Sequence, residues 1–408
     1  MSSLSLRTRR VLAWGTVILL AGLVIIAVLI PADTRERPPA VSGVLWGTSV
    51  GGTRRMLNVT QEERSRSGHE LDRLVTHRYT RYELIARRVG DGSVAVRQTL
   101  GDIEGDRDAH TPKILGITGD ILWLWRDSLE GRRLSDLEVQ LTASELTPVA
   151  PAILDALPAE AAGFTVAPNL EALVARGRDA RFYRIDAATR ELRQLDPARL
   201  PENGSSPRVE DRFTHLGPPG RARVVTQPNW AMQRSFLTAP GLWYALLSES
   251  ERASVGRWPS AADRPSGEVA RSLYRVPYTL DDRRQSTIDP AALEPVGSER
   301  LIQAGFIVRE AGRSWDVPDP SSSLLFAKAR LGDAEPWEVL RLTRDGRILW
   351  RTSTGLSNPG MLLDLDTHLA LLGDVAGATP GGRLDRLVWI DQVTGARLTL
   401  ALETDEVR

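Results

Sequence analysis

An apolar run near the N-terminus constrains the architecture of this 408-residue chain more than any other feature. Residues 11–30 contain no charged side chain and follow a short tail that carries three arginines. A hydrocarbon core about 30 Å thick requires about 20 apolar residues at a helical rise of about 1.5 Å per residue. We therefore predict a transmembrane helix over residues 11–31 that contacts the lipid bilayer, with residues 32–408 folded on one side of it.

The charges around this run predict its orientation. Residues 1–10 carry an excess of positive charge, whereas the charges just after the run nearly cancel. By the positive-inside rule the tail is cytoplasmic, and in a bacterium with two membranes the C-terminal domain lies in the periplasm behind an inner-membrane anchor. A cleaved signal peptide is the alternative, but its apolar part is usually about 7 to 15 residues long, and its cleavage site would need a small residue where Ile30 stands.

The composition narrows the range of functions. The chain has no cysteine, which excludes disulfides, thiolate metal sites and a thiol nucleophile within it. It has 52 basic and 52 acidic residues. Without the three arginines of the tail, 49 basic and 52 acidic residues remain. Because no basic stripe is present, nucleic acid is not predicted as a partner.

After a linker at residues 32–40, the chain repeats one pattern, in which two β-branched or aromatic runs flank a polar turn. The sharpest copy covers residues 386–400, with Asp391, Thr394 and Gly395 in the turn. Gly395 can take the left-handed conformation that such a turn requires, and the other two side chains can bond neighbouring backbone amides. This pattern predicts an antiparallel hairpin.

The same pattern recurs along the chain. A second sharp copy covers residues 337–350, with its turn at 345–346, and a third covers residues 82–96, with its turn at 90–92. A further unit is predicted near residues 242–247. Three looser copies combine a run with a later turn: 121–125 with Glu130-Gly131, 182–186 with Ala188-Thr189, and 273–276 with Asp281-Asp282.

The spacing of these turns fits a repeat architecture. Turns near positions 91, 131, 189, 282, 345 and 395 are 40 to 93 residues apart, and one propeller blade takes about 40 to 50 residues before insertions. On these residues the chain resembles the β-propeller superfamily, especially blades of the WD40 or quinoprotein type. The resemblance implies an all-β fold, a propeller of about six to eight blades over residues 41–405. A β-sandwich pair or a stretched barrel stays open as an alternative.

Two segments depart from the strand pattern. Residues 148–175 are rich in alanine and leucine, and Leu170, Leu173 and Val174 stand at helical spacing, so we predict a short helical insertion there. Residues 248–267 are polar and predict a long exposed loop. Insertions on one rim of a propeller commonly form its binding face, although a solvated elaboration without a role fits these segments equally.

The acidic loop at residues 101–110 is the strongest candidate metal site in the sequence. Alternating oxygen ligands of the kind that calcium prefers would come from Asp102, Glu104, Asp106 and Asp108. The loop departs from the helix-loop-helix calcium motif, which needs glycine where Arg107 stands and a bidentate glutamate where Lys113 stands. A solvated loop between strands is the alternative. Calcium is the one cofactor considered, and no other is predicted.

Histidines and tryptophans give weaker signals. The five histidines form no His-x-x-x-His or His-Glu-x-x-His unit, so a zinc site would need distant loops. Asp364, Asp366 and His368 alternate along one run and could seat a general base, with structural hydrogen bonding as the alternative. Four tryptophans in predicted strands are expected to fill the core: Trp123, Trp125, Trp350 and Trp389.

The sequence contains no phosphate-binding loop with a Lys-Ser/Thr pair and no Gly-x-Gly-x-x-Gly dinucleotide fingerprint. We therefore predict a membrane-anchored propeller that serves as a binding or scaffolding platform for a protein of the cell envelope. The alternative is an enzyme with its site in the central channel, either a metal-assisted hydrolase or lactonase-like propeller or a quinoprotein-like oxidoreductase. A third reading is a sensor or assembly factor whose span contacts another membrane helix through Gly15 and Gly22.

Overall fold

The computed structural model describes most of the chain between residues 32 and 407. The described residues are 32–35, 39–70, 73–104, 110–149, 152–167, 170–196, 223–224, 232–233, 235–239, 242–249, 252, 270–280, 286–288, 290–307, 322–332, 334–343, 346–365, 367–375, 384, 386–402 and 406–407. Within these ranges no helix has both the length and the apolar character needed to cross a membrane. The predicted span at residues 11–31 and most of the predicted loop at 248–267 lie outside them.

Antiparallel strands dominate the described residues and form five sheets, which confirms the predicted all-β class. The first sheet contains β1 (Ala32–Arg35), β2 (Ala40–Val50), β3 (Thr53–Glu70), β4 (Arg73–Arg88) and β5 (Val94–Glu104). Strands β2 to β5 pair in chain order, as consecutive hairpins do. Strand β1 pairs with the far part of β3, from Ala32 opposite Ser67 to Arg35 opposite Arg64.

The second and third sheets follow along the chain. The second contains β6 (Lys113–Thr118), β7 (Ile121–Arg126), β8 (Ser128–Arg133) and β9 (Val139–Thr142), paired in chain order. The third contains β10 (Thr147–Pro148), β11 (Phe164–Ala167), β12 (Ala172–Arg176), β13 (Phe182–Ile185) and β14 (Glu191–Leu195). Strands β11 to β14 again pair in chain order, while β10 lies parallel to the outer strand β14.

The remaining strands form a ten-stranded and a six-stranded sheet. The six-stranded sheet contains β15 (Arg223–Val224), β26 (Asn358–Asp364), β27 (His368–Asp374), β28 (Arg386–Asp391), β29 (Arg397–Ala401) and β30 (Glu406–Val407). The ten-stranded sheet contains β16 (Met232–Gln233), β17 (Ser235–Ala239), β18 (Leu242–Leu247), β19 (Ala270–Leu280), β20 (Ser286–Ile288), β21 (Glu294–Pro295), β22 (Leu301–Ile307), β23 (Ser322–Lys328), β24 (Trp337–Thr343) and β25 (Ile348–Ser353). The predicted unit near residues 242–247 is confirmed as β18.

The helical prediction for residues 148–175 is wrong for its second half. An α-helix covers only Ala152–Ala156, and short 3-10 turns cover Ala143–Glu145, Ala161–Gly163 and, later in the chain, Pro290–Ala292. Leu173 and Val174 instead lie in β12, where they face two different apolar clusters. A strand that is buried on both faces has a continuous apolar run, and such a run imitates helical spacing.

The turn between β28 and β29 has the predicted chemistry. Asp391 Oδ1 accepts hydrogen bonds from the amides of Val393 and Thr394, at 2.8 and 2.7 Å. Thr394 Oγ1 accepts one from the amide of Ala396 at 3.2 Å. Gly395 has a φ of +73°, so the left-handed residue falls where the sequence placed it. The predicted turn at residues 188–189, between β13 and β14, is confirmed as well.

The predicted turn at Glu130-Gly131 is wrong, because both residues lie inside β8. The chain reverses earlier, at Asp127, which takes a φ of 57°. Gly131 has a packing role: an added Cβ would lie 3.2 Å from Ile121 and 3.3 Å from Trp123. The sequence analysis therefore took a glycine that close packing requires for a turn glycine. The turn residues 281–285 and 344–345 lie outside the described part of the chain.

Apolar clusters join each sheet to a neighbour in chain order. The first sheet packs on the second through residues such as Leu57 and Leu122, and the second packs on the third through residues such as Trp123 and Leu173. Further clusters join β18 and β19 to β22–β24, and β23 and β24 to the six-stranded sheet. Three of the four tryptophans predicted to fill the core are buried: Trp123, Trp125 and Trp389.

The first sheet also packs on the last one in the chain. One cluster contains Met56 and Val89 from the first sheet together with Leu372 and Trp389 from the six-stranded sheet. Gly92 lies against the second group so closely that an added Cβ would be 3.1 Å from Trp389. We call this junction the seam. Two parts of the chain about 300 residues apart therefore share one buried apolar interface.

Candidate functional site

An open cleft lies at the edge of the seam. Its volume is about 330 Å³. Three turns line it, and they belong to the first and the six-stranded sheets: Thr53, Arg54, Arg88, Val89, Gly90, Asp91, Thr367 and His368. We call it the seam cleft. Its location at a junction between two sheets is typical of binding sites, which need side chains from separate elements to converge.

Arg54 fixes the two sides of the seam cleft relative to each other. Its Nη1 donates to the carbonyl oxygen of Leu365 at 2.7 Å and to Thr367 Oγ1 at 3.2 Å. On its own sheet, the carbonyl oxygen of Arg54 accepts from the amide of Val89 at 3.1 Å. One residue at the start of β3 thus holds the end of β4 and the turn before β27 in place, which makes the cleft a rigid feature.

His368 occupies the floor of the cleft on the six-stranded sheet. Its Nδ1 lies 2.9 Å from Thr367 Oγ1, and its Nε2 lies 3.8 Å from Asp391 Oδ2. Of the run proposed to seat a general base, only His368 has a described side chain, because Asp366 and the side chain of Asp364 lie outside the described structure. Structural hydrogen bonding, the alternative given for this run, is what His368 displays.

Two carboxylates beside the cleft stay ionised because turns hold them. Hydrogen bonds from Ser93, first its hydroxyl at 2.7 Å and then its amide, lower the pKa of Asp91. The amide of Thr394 is the largest influence that lowers the pKa of Asp391. In both residues these bonds end on Oδ1, inside the turn to which the aspartate belongs.

The donors around the cleft favour an anionic group. Arg54 and Arg88 are exposed cations, and Arg88 is positioned by a 3.0 Å bond from its Nη1 to Ser93 Oγ. Guanidinium groups present planar pairs of N–H donors that match a carboxylate, and the Thr367 hydroxyl adds a further donor. The arrangement can therefore orient a carboxylate without any covalent chemistry.

The structure gives the candidate calcium loop a different setting from the predicted one. Asp102 and Glu104 lie in β5, not in a loop, and Asp106 and Asp108 lie outside the described residues. Arg81 holds both oxygens of Asp102, at 2.8 and 3.1 Å. Because that guanidinium already compensates the charge of Asp102, the carboxylate is poorly suited to a cation. Among the described residues no group of three or more histidine and acidic side chains converges to hold a metal ion.

The other histidines do not join the cleft within the described residues. His110 Nδ1 lies 2.6 Å from Asp127 Oδ1 at an exposed position next to β6 and β7. His77 is exposed on β4, and His215 and the side chain of His69 lie outside the described part. The sequence analysis therefore named one histidine of the cleft, His368. It did so because His368 could belong to a general-base site, not because it lines a binding cleft.

Arg54, Arg88 and Thr367 were missed because they carry no local signal. Arg54 contacts residues 311 and 313 positions away, a separation over which no motif in one sequence operates. The nearest clue was the predicted turn at residues 90–92, which forms one wall of the cleft. A comparison of the chain with protein-family models found no match, and a search of curated proteins found none.

Proposed function

We propose that this chain is a membrane-anchored extracytoplasmic β-propeller that binds a protein of the cell envelope through acidic side chains held in the seam cleft. The proposal joins three parts: an anchor at residues 11–31, a closed ring of sheets, and a cationic recognition site where the ring closes. Each part has its own support.

The arrangement of strands supports a ring of sheets. Antiparallel units follow one another along the chain: β2–β5, β6–β9, β11–β14, then β17–β19 and β22–β25, which the pairing of β19 with β22 joins in one sheet, and β26–β29. Buried apolar clusters join the first sheet to the second, the second to the third, and the ten-stranded sheet to the six-stranded one, and another joins the first sheet to the last. Packing of the first unit on the last is what closes a propeller, whereas a sandwich would pair two sheets face to face.

The single observation that carries the binding role is the pair of exposed arginines at an open, rigid cleft. Arg88 and Arg54 both line the cleft, and the hydrogen bonds described above fix the turns that present them. A rigid cationic cleft recognises an acidic side chain with little ordering cost, because the donors are already in place. Recognition therefore needs fewer assumptions than catalysis does at this site.

The test is site-specific photo-crosslinking in native membranes. A photoreactive amino acid replaces Thr53, an exposed residue of the cleft, and crosslinked proteins are identified by mass spectrometry. We expect one reproducible partner, and we expect Arg88→Glu to reduce its yield by about tenfold or more, since reversal of a recognition charge costs more than about 1.4 kcal/mol.

Two controls make this test specific. Arg347→Glu reverses another exposed arginine, one that does not line the cleft, and it should leave the crosslink unchanged. A chain limited to residues 1–40 shows which partners the anchor alone attracts. A folded protein that gives no partner at Thr53, or a crosslink that Arg88→Glu and Arg347→Glu affect equally, would contradict the proposal.

A further inference from the structure

The longest hairpin of the structure projects beyond the rest of its sheet. Strand β2 accompanies β3 only as far as Gln61, and β5 accompanies β4 only from Tyr79 onwards. Beyond these points β3 and β4 pair with each other to the register of Glu70 opposite Arg73. At a rise of about 3.3 Å per residue, the part from residue 64 to residue 70 is about 20 Å long. We call residues 64–70 and 73–78, together with β1, the stalk.

Strand β1 gives the direction in which the chain enters the described domain. It begins at Ala32, directly after the predicted span at residues 11–31. Because β1 is antiparallel to β3, Ala32 lies nearer the tip of the stalk, opposite Ser67, and Arg35 lies nearer the body of the sheet, opposite Arg64. Strand β1 therefore begins at its end nearer the tip.

The seam cleft lies at the opposite ends of the same two strands. Thr53 and Arg54 begin β3, and Arg88 ends β4, whereas the stalk contains the end of β3 and the start of β4. A strand of this length separates its two ends by about 50 Å at about 3.3 Å per residue. The stalk and the seam cleft therefore lie at opposite ends of this hairpin.

The charged side chains described in the stalk are those of Arg64, Arg66 and Arg78, and the backbone register places Asp33 of β1 opposite Arg66. Arg66 and Arg78 are exposed, and the exposed His77 lies opposite Arg66 in the register. Arg66 also lies over the ring of Tyr79 at 5.4 Å, which holds the guanidinium in place while its edge stays available to solvent. Basic side chains next to a membrane span attract anionic lipid headgroups.

We propose that the stalk stands on the bilayer surface, that Arg66 and Arg78 contact anionic lipid headgroups there, and that the seam cleft consequently faces away from the membrane. This inference rests on the anchor of the proposed function. It adds the orientation of the domain and the chemistry of its contact with lipid, and it makes the cleft accessible to a partner in the aqueous compartment.

The absence of cysteine in the chain allows a direct test with single spin labels. The full chain, labelled at Thr76→Cys in the stalk or at Val393→Cys on the rim of the cleft, is reconstituted into vesicles of phosphatidylcholine and phosphatidylglycerol that contain a nickel-chelating lipid. Val393 is 70% exposed and lies in the turn whose residue Gln392 bonds Thr367. We expect headgroup nickel to relax the label at residue 76 several-fold more strongly than the label at residue 393.

The lipid contact is tested with charge variants in the Thr76→Cys background. Each arginine near an anionic surface contributes about fivefold in surface affinity, so the double variant Arg66→Gln/Arg78→Gln should weaken relaxation at residue 76. This loss should occur in anionic vesicles and vanish in pure phosphatidylcholine. The matched control Arg193→Gln/Arg347→Gln removes two exposed arginines outside the stalk and should change nothing.

Separate outcomes distinguish this inference from the anchor itself. Flotation at alkaline pH shows whether the chain is inserted in the vesicles. If an inserted chain gives equal relaxation at residues 76 and 393, the proposed orientation is wrong although the anchor is correct. An unchanged signal in Arg66→Gln/Arg78→Gln would overturn the headgroup contact. A chain that does not float with vesicles would contradict the anchor, and the stalk proposal would fall with it.

Discussion

At the scale of single residues, aspartates define the turns of this protein. In five turns an aspartate Oδ1 accepts a hydrogen bond from the amide two residues later: Asp91, Asp136, Asp179, Asp186 and Asp391. The pKa of each is lowered. At Asp136 and Asp186 desolvation, the largest influence, raises the pKa, but amide bonds and nearby arginines together outweigh it. The hydrogen bonds of these turns therefore favour the ionised form of all five aspartates in the folded protein.

Asp391 gives a prediction for the dependence of stability on pH. Its pKa is lower in the folded state than the unfolded value of about 3.9, so its charge contributes stability that is fully present above about pH 4 and is lost as the pH falls through the folded pKa. Asp391→Asn should therefore be less stable than the wild type at pH 7, and the gap should close below pH 4. Chemical unfolding at several pH values measures it.

A second variant separates charge from turn geometry in this experiment. Asp391→Ala removes the acceptor of the bonds from Val393 and Thr394 as well as the charge. Its deficit should persist at low pH, because the acceptor is needed at every pH. A gap between Asp391→Asn and wild type that stays constant from pH 7 to low pH would refute the linkage.

Arg190 gives a prediction about backbone conformation. It follows the Asp186 turn at the place that Gly395 takes in the Asp391 turn, and its φ of 59° lies in the left-handed region. This conformation costs a residue with a Cβ about 1 to 2 kcal/mol, part of which glycine returns as greater flexibility of the unfolded chain. Arg190→Gly should raise the free energy of unfolding by about 0.5 to 1 kcal/mol.

The control for Arg190→Gly is Arg193→Gly, which places glycine in strand β14 three residues later. There the substitution should lower stability by about 0.5 to 1 kcal/mol, since no strain is relieved. Denaturant titration of both variants decides the point. Equal losses in the two variants would mean that the left-handed residue is not strained.

At the scale of elements, strand β8 contains both the wrongly predicted turn at Glu130-Gly131 and a buried charge pair. Glu130 and Arg132 lie two residues apart on one face, with side chains 7% and 8% exposed, and approach to 2.6 Å. Arg132 Nη1 also donates to the carbonyl oxygen of Leu137 at 3.0 Å. Arg126 of β7 lies 3.2 Å from the other oxygen of Glu130, so the pair is satisfied within its own sheet.

Breaking this pair should cost more than replacing it. Glu130→Ala should lower the free energy of unfolding by about 3 to 5 kcal/mol, because it leaves Arg132 buried without its anion. Glu130→Leu/Arg132→Met, which keeps the volume and removes both charges, should cost less than Glu130→Ala alone. Denaturant unfolding of the variants measures both values, and a double variant at least as damaging as Glu130→Ala would contradict the explanation.

At the scale of the whole molecule, the seam decides whether the chain behaves as one unit. Gly92 of the first sheet faces the last sheet, and an added Cβ would lie 2.9 Å from Leu398 and 3.1 Å from Trp389. Its φ is +69°, so a side chain there would meet backbone strain as well as contact. Arg54 adds polar bonds across the same junction. The seam thus joins the N-terminal and C-terminal sheets through both packing and hydrogen bonds.

Gly92→Ala tests this junction. It should lower the free energy of unfolding by about 1 to 2 kcal/mol from backbone strain and by about 1 to 3 kcal/mol more from overpacking. Gly119→Ala supplies the strain alone, because Gly119 has a φ of +56° and nothing within 4 Å of the added Cβ. Leu398→Ala in the Gly92→Ala background should recover part of the loss. The seam is not packed as described if Gly92→Ala and Gly119→Ala lower the free energy of unfolding equally and if the effects of Gly92→Ala and Leu398→Ala simply add in the double variant.

Much of the strand architecture could be predicted from local sequence, and the errors have a common cause. The turn at Asp391 was predicted down to its hydrogen bonds, because an aspartate, a threonine and a glycine within five residues make that turn by themselves. Gly131 and Leu173 misled the prediction because packing against other strands, not local chemistry, explains why they are there. Local signals therefore identify turns well and fail where a residue serves a distant neighbour.

The sequence by itself determined that the chain is built from hairpins, because alternating apolar runs and turn residues act over a few positions. It also contained the arginines, the histidine and the threonine of the seam cleft, but nothing that marked them as a group. Only the tertiary structure decided that Arg54 meets Thr367 across 313 residues and that the stalk and the cleft lie at opposite ends of the same strands. Packing of the first sheet on the last brings them together, and that packing depends on the shape of whole sheets rather than on any local pattern.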